Sequence, residues 1–318
     1  MEKIKLGNSD ISVAPLTFGG NVFGWTIDEK TSFDILDGFV AAGFDFIDTA
    51  DVYSRWAPNN EGGESEKIIG KWMKARGNRD QIIIGTKVGS DMGNGKKGLK
   101  KKYILQAVED SLKRLQTDYI DLYQTHFDDG STPIDETLGA YAELISQGKV
   151  RIIGASNLSP ERLKLSLEIS QKQGYPRYET FQPHYNLYDR ELFESELESI
   201  CLENNLSVNN YYSLASGFLT GKYRTKEDFG KSPRGGGMDK YLDERGLKIL
   251  SALDVVSQKY NTTPASVSIA WLLSRPSITA PIASATNLKQ LDALVKAVDL
   301  KLDDVFLQQL DAASEWRK

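Results

Sequence analysis

The chain has 318 residues, 40% of them hydrophobic and 26% charged, with 39 Lys+Arg against 44 Asp+Glu and a net charge of −5. A chain of ~300 residues buries roughly three quarters of its unfolded surface, which excludes a disulfide-held mini-domain, and the lack of a basic excess argues against nucleic acid or anionic lipid as a partner. The single cysteine, Cys201, cannot form an internal disulfide, the first residues lack the pattern of a secretory signal, and apolar runs such as 82–85 fall far short of a membrane span, so a reducing cytoplasm is expected.

Residues 3–13 (KIKLGNSDISV) read as a two-stranded ribbon turning around Gly7-Asn8. Strand-like runs follow at 15–20, 44–50, 82–88, 119–127, 150–156, 180–186, 206–214 and 279–285. Helix-period stretches lie between most of them, at 30–42, 63–76, 102–115, 135–147 and 159–172, and Cys201 falls on a further outer helix. In the third of these, Ile104, Ala107, Val108, Leu112 and Leu115 recur at the spacing of one helix face. The gap between the last two strands is the longest. It holds a Gly-rich, basic segment at 217–240, expected to be a mobile loop, and two helices near 242–260 and 264–274. Helices near 287–298 and 303–315 close the chain. Eight strand-helix units predict an α/β fold, a closed (β/α)8 barrel with the ribbon plugging its bottom. No repeat or low-complexity linker divides the chain, so residues 1–318 are expected to form one domain.

Three ionisable residues interrupt the apolar strands near their carboxyl ends, Asp48, Lys87 and His126, and Tyr53 follows the second strand. Burying a charge costs several kcal/mol unless it is paired or its burial serves a function. The carboxyl ends of barrel strands form the catalytic face, and these three strands are neighbours, so four side chains can meet in one pocket. A buried Asp48–Lys87 ion pair and a core histidine would be the purely structural readings. The chemical reading is an acid poised against a carbonyl oxygen: an ammonium beside the Tyr53 hydroxyl should lower its pKa from ~10, Asp48 should orient Lys87, and His126 could hydrogen-bond the reacting oxygen. No strong nucleophile and no metal-ligand spacing accompanies the set.

Reduction of a carbonyl requires a hydride, which no side chain supplies, so a nicotinamide cofactor is implied. The sequence has no GxGxxG after a strand. The ends of the later strands offer Ser156, Asn157 and Gln182 for a carboxamide and Tyr211 for a flat ring. Lys222, Arg224 and Arg234 could contact phosphates, and Asn287 opens the helix after the eighth strand, where backbone N–H groups attract anions.

Several segments resemble the aldo-keto reductase family over almost the whole chain: GFDFIDTADVY (43–53), IIIGTKV (82–88), TDYIDLYQTH (117–126), GASN (154–157), FQPHYN (181–186), YYSLASGFLTGKY (211–223) and APIASATNLKQL (280–291). The resemblance implies an NADPH-dependent carbonyl reductase in which Asp48, Tyr53, Lys87 and His126 form the catalytic tetrad and Tyr53 is the general acid. It also implies cofactor contacts from Gly19, Gly20, Asn21, Asp48, Ser156, Asn157 and Gln182, with Tyr211 stacked on the ring. Ser213, Leu214, Gly217, Lys222 and Arg234 would close over the pyrophosphate, and Ser284, Thr286, Asn287 and Gln290 would hold the adenosine end. Thr286 stands where some relatives carry arginine, so NADP(H) is expected with NAD(H) as an option. Two positions depart from the family pattern: Asn209-Asn210 in the seventh strand, where relatives carry apolar residues or proline, and Leu294, where many carry an adenine-contacting asparagine. Small carbonyl compounds are the implied partners. A redox-sensing module like the potassium-channel β subunits, which share this family's fold and cofactor, is the alternative, and a barrel enzyme acting on sugar phosphates is a third reading.

Overall fold

The structure, a computed structural model, describes residues 2–317. Its strands follow the sequence pattern closely. A short antiparallel ribbon, β1 (Ile4–Lys5) and β2 (Ser12–Val13), is closed by a longer turn than Gly7-Asn8 alone, with the Leu6 N–H donating to Ile11 O at 2.8 Å. Eight parallel strands come next: β3 (Thr17–Gly19), β4 (Phe46–Asp48), β5 (Ile83–Val88), β6 (Ile120–Thr125), β7 (Val150–Ser156), β8 (Tyr178–Gln182), β9 (Ser207–Val208) and β10 (Ile282–Ala283). They are hydrogen-bonded in the order β10-β3-β4-β5-β6-β7-β8-β9. The last seam is closed by the Thr279 N–H donating to Val208 O (2.9 Å) and the Ile282 N–H to Asn210 O (3.0 Å). With its outer helices this is a (β/α)8 barrel.

The helices are α1 (Glu29–Ala41), α2 (Glu64–Arg76), α3 (Lys101–Leu115), α4 (Ile134–Ser146), α5 (Pro160–Gln173), α6 (Glu198–Glu203), α7 (Glu244–Lys259), α8 (Pro264–Leu273), α9 (Leu288–Asp299) and α10 (Asp304–Ala313). Half of them start at a side-chain cap. Asp28, Ser159, Asp243, Thr263 and Asn287 each accept a first-turn N–H, and Pro160 and Pro264 occupy a position where a missing donor costs nothing. The predicted apolar face of α3 is buried at all five positions. Cys201 lies buried on α6, behind a single π-helical turn at Phe193–Leu197.

Inside the barrel, Leu6, Ile11 and Val13 of the ribbon pack with Phe46, Leu122, Ile152 and Ala280, which closes the bottom with apolar surface. Gly154 sits in the layer above, where any Cβ would lie 2.1 Å from Thr180 Oγ1, so strand β7 can pass only with glycine there. The adjacent amides of Asn209 and Asn210 are both buried, the first bonding across the seam and the second to the segments that follow β8 and β9. Asn209 Nδ2 donates to Ala280 O (3.0 Å), and Asn210 Nδ2 donates to Tyr185 O (2.7 Å) and Ser213 Oγ (3.0 Å). Strand β9 is two residues long rather than the nine expected, although backbone hydrogen bonds continue past it, with the Asn209 N–H donating to Phe181 O (3.2 Å) and the Tyr211 N–H to Pro183 O (2.9 Å).

The segment 217–240, expected to be a mobile loop, is a series of 3₁₀ turns in which Phe218, Leu219, Tyr223 and Met238 are buried. Among the described residues no helix is long and apolar enough to cross a membrane.

Candidate active site

Parallel register brings the polar residues together. Asp48 ends β4 opposite Gly19 and Gly85, Lys87 lies on β5 opposite Gln124, and the His126 N–H donates to Val88 O at 2.9 Å just past β6. Lys87 Nζ donates to Asp48 Oδ2 (2.7 Å), Thr49 O (2.8 Å) and the Tyr53 hydroxyl (2.9 Å), so all three of its protons are placed. The Tyr53 hydroxyl in turn lies 3.2 Å from Asp48 Oδ2, to which it donates. Asp48 Oδ1 receives Gln182 Nε2 at 2.9 Å and Gln124 Nε2 at 3.4 Å. The buried charges are thus paired and saturated with hydrogen bonds, the condition for keeping an ion pair in a barrel core.

The electrostatics correct one expectation. Lys87 does not pull the Tyr53 hydroxyl below its ordinary range: burial, and after it the Asp48 carboxylate, hold it well above 10. Burial also lowers the Lys87 ammonium, with Asp48 opposing. The resting phenol therefore keeps its proton, and the tetrad stores an acid rather than a phenolate. His126 is pushed well below 6.5 by burial and by Lys87, so its imidazole is neutral near pH 7.

These groups form the floor of a cavity of about 1300 Å³, larger than the ~300–1,000 Å³ of most small-molecule sites. Its lining includes Gly19, Asn21, Asp48, Tyr53, His126, Ser156, Asn157, Gln182, Tyr211, Ser213, Leu214, Gly217, Lys222, Arg234, Ser284, Thr286 and Gln290. Four expected contacts do not line it. Lys87 lies beneath Tyr53, and Gly20 is packed where a Cβ would meet Ser65 Oγ at 2.9 Å and Asp48 O at 3.0 Å. Asn287 spends its side chain capping α9, accepting the Gln290 N–H at 2.9 Å. Arg224 is held by Asp254 in a two-pronged pair (2.7 and 2.8 Å).

Beside the tetrad, Asn157 Nδ2 donates to His126 O and Ser156 Oγ, both at 3.0 Å, and Asn157 Oδ1 accepts the Tyr211 hydroxyl at 2.8 Å. The Tyr211 ring stacks on His184 (centroids 5.1 Å apart), whose Nε2 lies 2.9 Å from Asp189 Oδ2. His184 is thus the backing of Tyr211. Tyr212 also lines the cavity, at a positive φ of 56°. Further lining residues that the sequence did not single out are Trp25, Phe127 and Ser90 near the tetrad and Thr263 and Lys289 at the far end. Trp25 packs edge-on against Trp56, which contacts the Tyr53 ring, so Trp56 lines the cavity on this side.

The donor set fits a dinucleotide. Gln182 commits its Nε2 to Asp48, and its Oε1 has no partner among the described residues, as an amide acceptor should. Arg234 lies over the Trp25 ring at 5.1 Å with Nη2 buried and unpartnered, and Lys222 has no carboxylate partner among the described residues. Two such cations beside one groove are what a diphosphate requires. No cluster of three His, Cys, Asp or Glu that could hold a metal occurs among the described residues.

Comparison with known proteins agrees with this geometry. The profile of the aldo/keto reductase family matches residues 15–315. Aldo-keto reductase YhdN of Bacillus subtilis is 35% identical, the match covering 90% of this chain and 84% of that protein. A probable voltage-gated potassium channel subunit beta of Arabidopsis thaliana is 31% identical over 94% of this chain and 92% of its own length. Aldo-keto reductase yakc [NADP(+)] of Schizosaccharomyces pombe is 30% identical over 90% and 83%, respectively.

Proposed function

Because the chain belongs to the aldo/keto reductase family, we propose that it is an NADP(H)-dependent reductase that converts an aldehyde or ketone to the alcohol, an oxidoreductase of the alcohol dehydrogenase type. The observation that carries this reading is the Tyr53 hydroxyl, held between Lys87 Nζ and Asp48 Oδ2 on the floor of a groove that continues to the unpaired cations Arg234 and Lys222. Bound in that groove, reduced nicotinamide would supply the hydride to the carbonyl carbon. Tyr53 delivers the proton to the carbonyl oxygen as negative charge develops there, Lys87 stabilises the phenolate left behind, and Asp48 keeps Lys87 charged and aimed. His126 orients the carbonyl oxygen. Ser156, Asn157 and Gln182 would hold the carboxamide, Tyr211 would face the ring, and Asn21, Ser284, Thr286, Gln290 and Lys289 would take the adenosine end. Lys289 at that end, together with the relative named for NADP(+), supports NADP(H) over NAD(H). Residues 1–318 would act as one barrel domain, in the cytoplasm.

The potassium-channel subunit relative favours a second reading, a cofactor-binding redox sensor. The two differ in turnover. Titration with NADPH and NADH followed by cofactor oxidation across aldehydes, ketones and quinones tests them: steady multiple turnover with NADPH supports the reductase, whereas tight binding with no catalytic cycle supports the sensor.

A further inference from the structure

The turn after β5 places a hydroxyl directly against the catalytic imidazole. Ser90 Oγ lies 2.9 Å from His126 Nδ1, and Ser90 is only 9% exposed. The turn is fixed by Gly89, at φ +116°, where a Cβ would lie 3.0 Å from Leu99 Cδ2 and 3.4 Å from Phe127 O. Phe127 stacks on the imidazole with centroids 4.8 Å apart, which leaves the ring little freedom to rotate. A neutral imidazole carries one proton, on either nitrogen. Among the described residues the Ser90 hydroxyl has no other acceptor, and His126 Nε2 makes no other hydrogen bond. If Nδ1 carried the proton, the Ser90 hydroxyl hydrogen would have no acceptor among the described residues and an imidazole lone pair would face the cavity. If Ser90 donates to Nδ1, both groups are satisfied and Nε2–H faces the cavity.

We propose that Ser90 is a positioning residue that donates to His126 Nδ1 and fixes the neutral imidazole as its Nε2–H tautomer, so that a carbonyl oxygen above Tyr53 meets an N–H donor rather than a lone pair. This rests on the reductase reading of the site. Ser90 touches none of the reacting atoms; it acts through His126.

The test combines nitrogen-15 spectra with kinetics. The chain has only two histidines, so the spectrum of the full-length protein can be assigned against His184→Gln. Wild type should show an unprotonated Nδ1 and a protonated Nε2 on His126. Ser90→Ala should shift both ring nitrogens toward a tautomer mixture and lower kcat for an aryl aldehyde about tenfold, the worth of one hydrogen bond, with the NADPH Kd unchanged. Ser90→Thr, which keeps the hydroxyl, should restore both. A protonated Nδ1 in wild type, or His126 signals in Ser90→Ala identical to wild type, would overturn the proposal. The expected tautomers in a protein that reduces no carbonyl would uphold the Ser90 contact and refute the reductase reading instead.

Discussion

Lys87 Nζ lies 2.9 Å from the Tyr53 hydroxyl and donates a hydrogen bond to it, yet that hydroxyl is held above, not below, its ordinary pKa. The ammonium is outweighed because the same 2.7 Å contact that keeps it charged brings the Asp48 carboxylate to within 3.2 Å of the phenol, and because burial disfavours the phenolate. In the proposed reaction Lys87 would matter most once the proton had left, when it would face a phenolate in a medium of low dielectric.

Removing Lys87 should damage both folding and chemistry. Lys87→Met leaves Asp48 buried and unpaired, so urea unfolding should show a loss of about 3–5 kcal/mol. Asp48→Asn combined with Lys87→Met should recover most of that stability while activity stays at least ~10²-fold down. Equal stability losses in the single and double variants would show that the pair is not the source.

A second buried carboxyl, with no hydrogen-bond partner among the described residues, lies close by in sequence. Both oxygens of Asp51 are buried and unbonded among the described residues, and burial, then Glu66, push it well above 3.8. A folded-state pKa above the unfolded one means that the folded protein binds the extra proton. Stability at this site is intact below pH ~4 and is lost as pH rises toward the folded pKa. Asp51→Asn should then stabilise the protein, more at pH 8 than at pH 5, as read by denaturant midpoints. A gain that does not grow with pH would contradict the burial of an uncompensated acid.

Arg234, unpaired and lying over Trp25, should be spent on the cofactor diphosphate. Arg234→Met keeps much of the packing and removes the charge-assisted hydrogen bonds, each worth roughly 1.5–3 kcal/mol. The NADPH Kd should rise at least tenfold and become less sensitive to salt, with Tyr53 chemistry intact at saturating cofactor. An unchanged Kd in fluorescence titration would place the diphosphate elsewhere.

Much of this architecture is written in local patterns. Most barrel strands carry enough Val, Ile, Phe and Tyr between turn residues to be placed from the sequence, and Asp48, Lys87 and His126 stand out because charge in such runs is costly. What escaped is what only three dimensions decide. The expected seventh strand (206–214) overruns β9, which ends at Val208, and the side-chain bonds of Asn209 to Ala280 O and of Asn210 to Tyr185 O are a role that no periodicity signals. Ser90 and Gln124 are ordinary polar residues until the register puts one against His126 and the other against Asp48. Asn287 looked like an anion ligand from its place before a helix, but the same place makes it a cap. The direction of the Tyr53 shift depended on depth of burial, which the motif does not contain.

Proton delivery by Tyr53 is best probed by single-turnover reduction of an aryl aldehyde in wild type and Tyr53→Phe at saturating NADPH. Hydride transfer should be slower by at least ~10² in the variant, with an NADPH Kd within twofold of wild type. A variant that oxidises NADPH at the wild-type rate would contradict it.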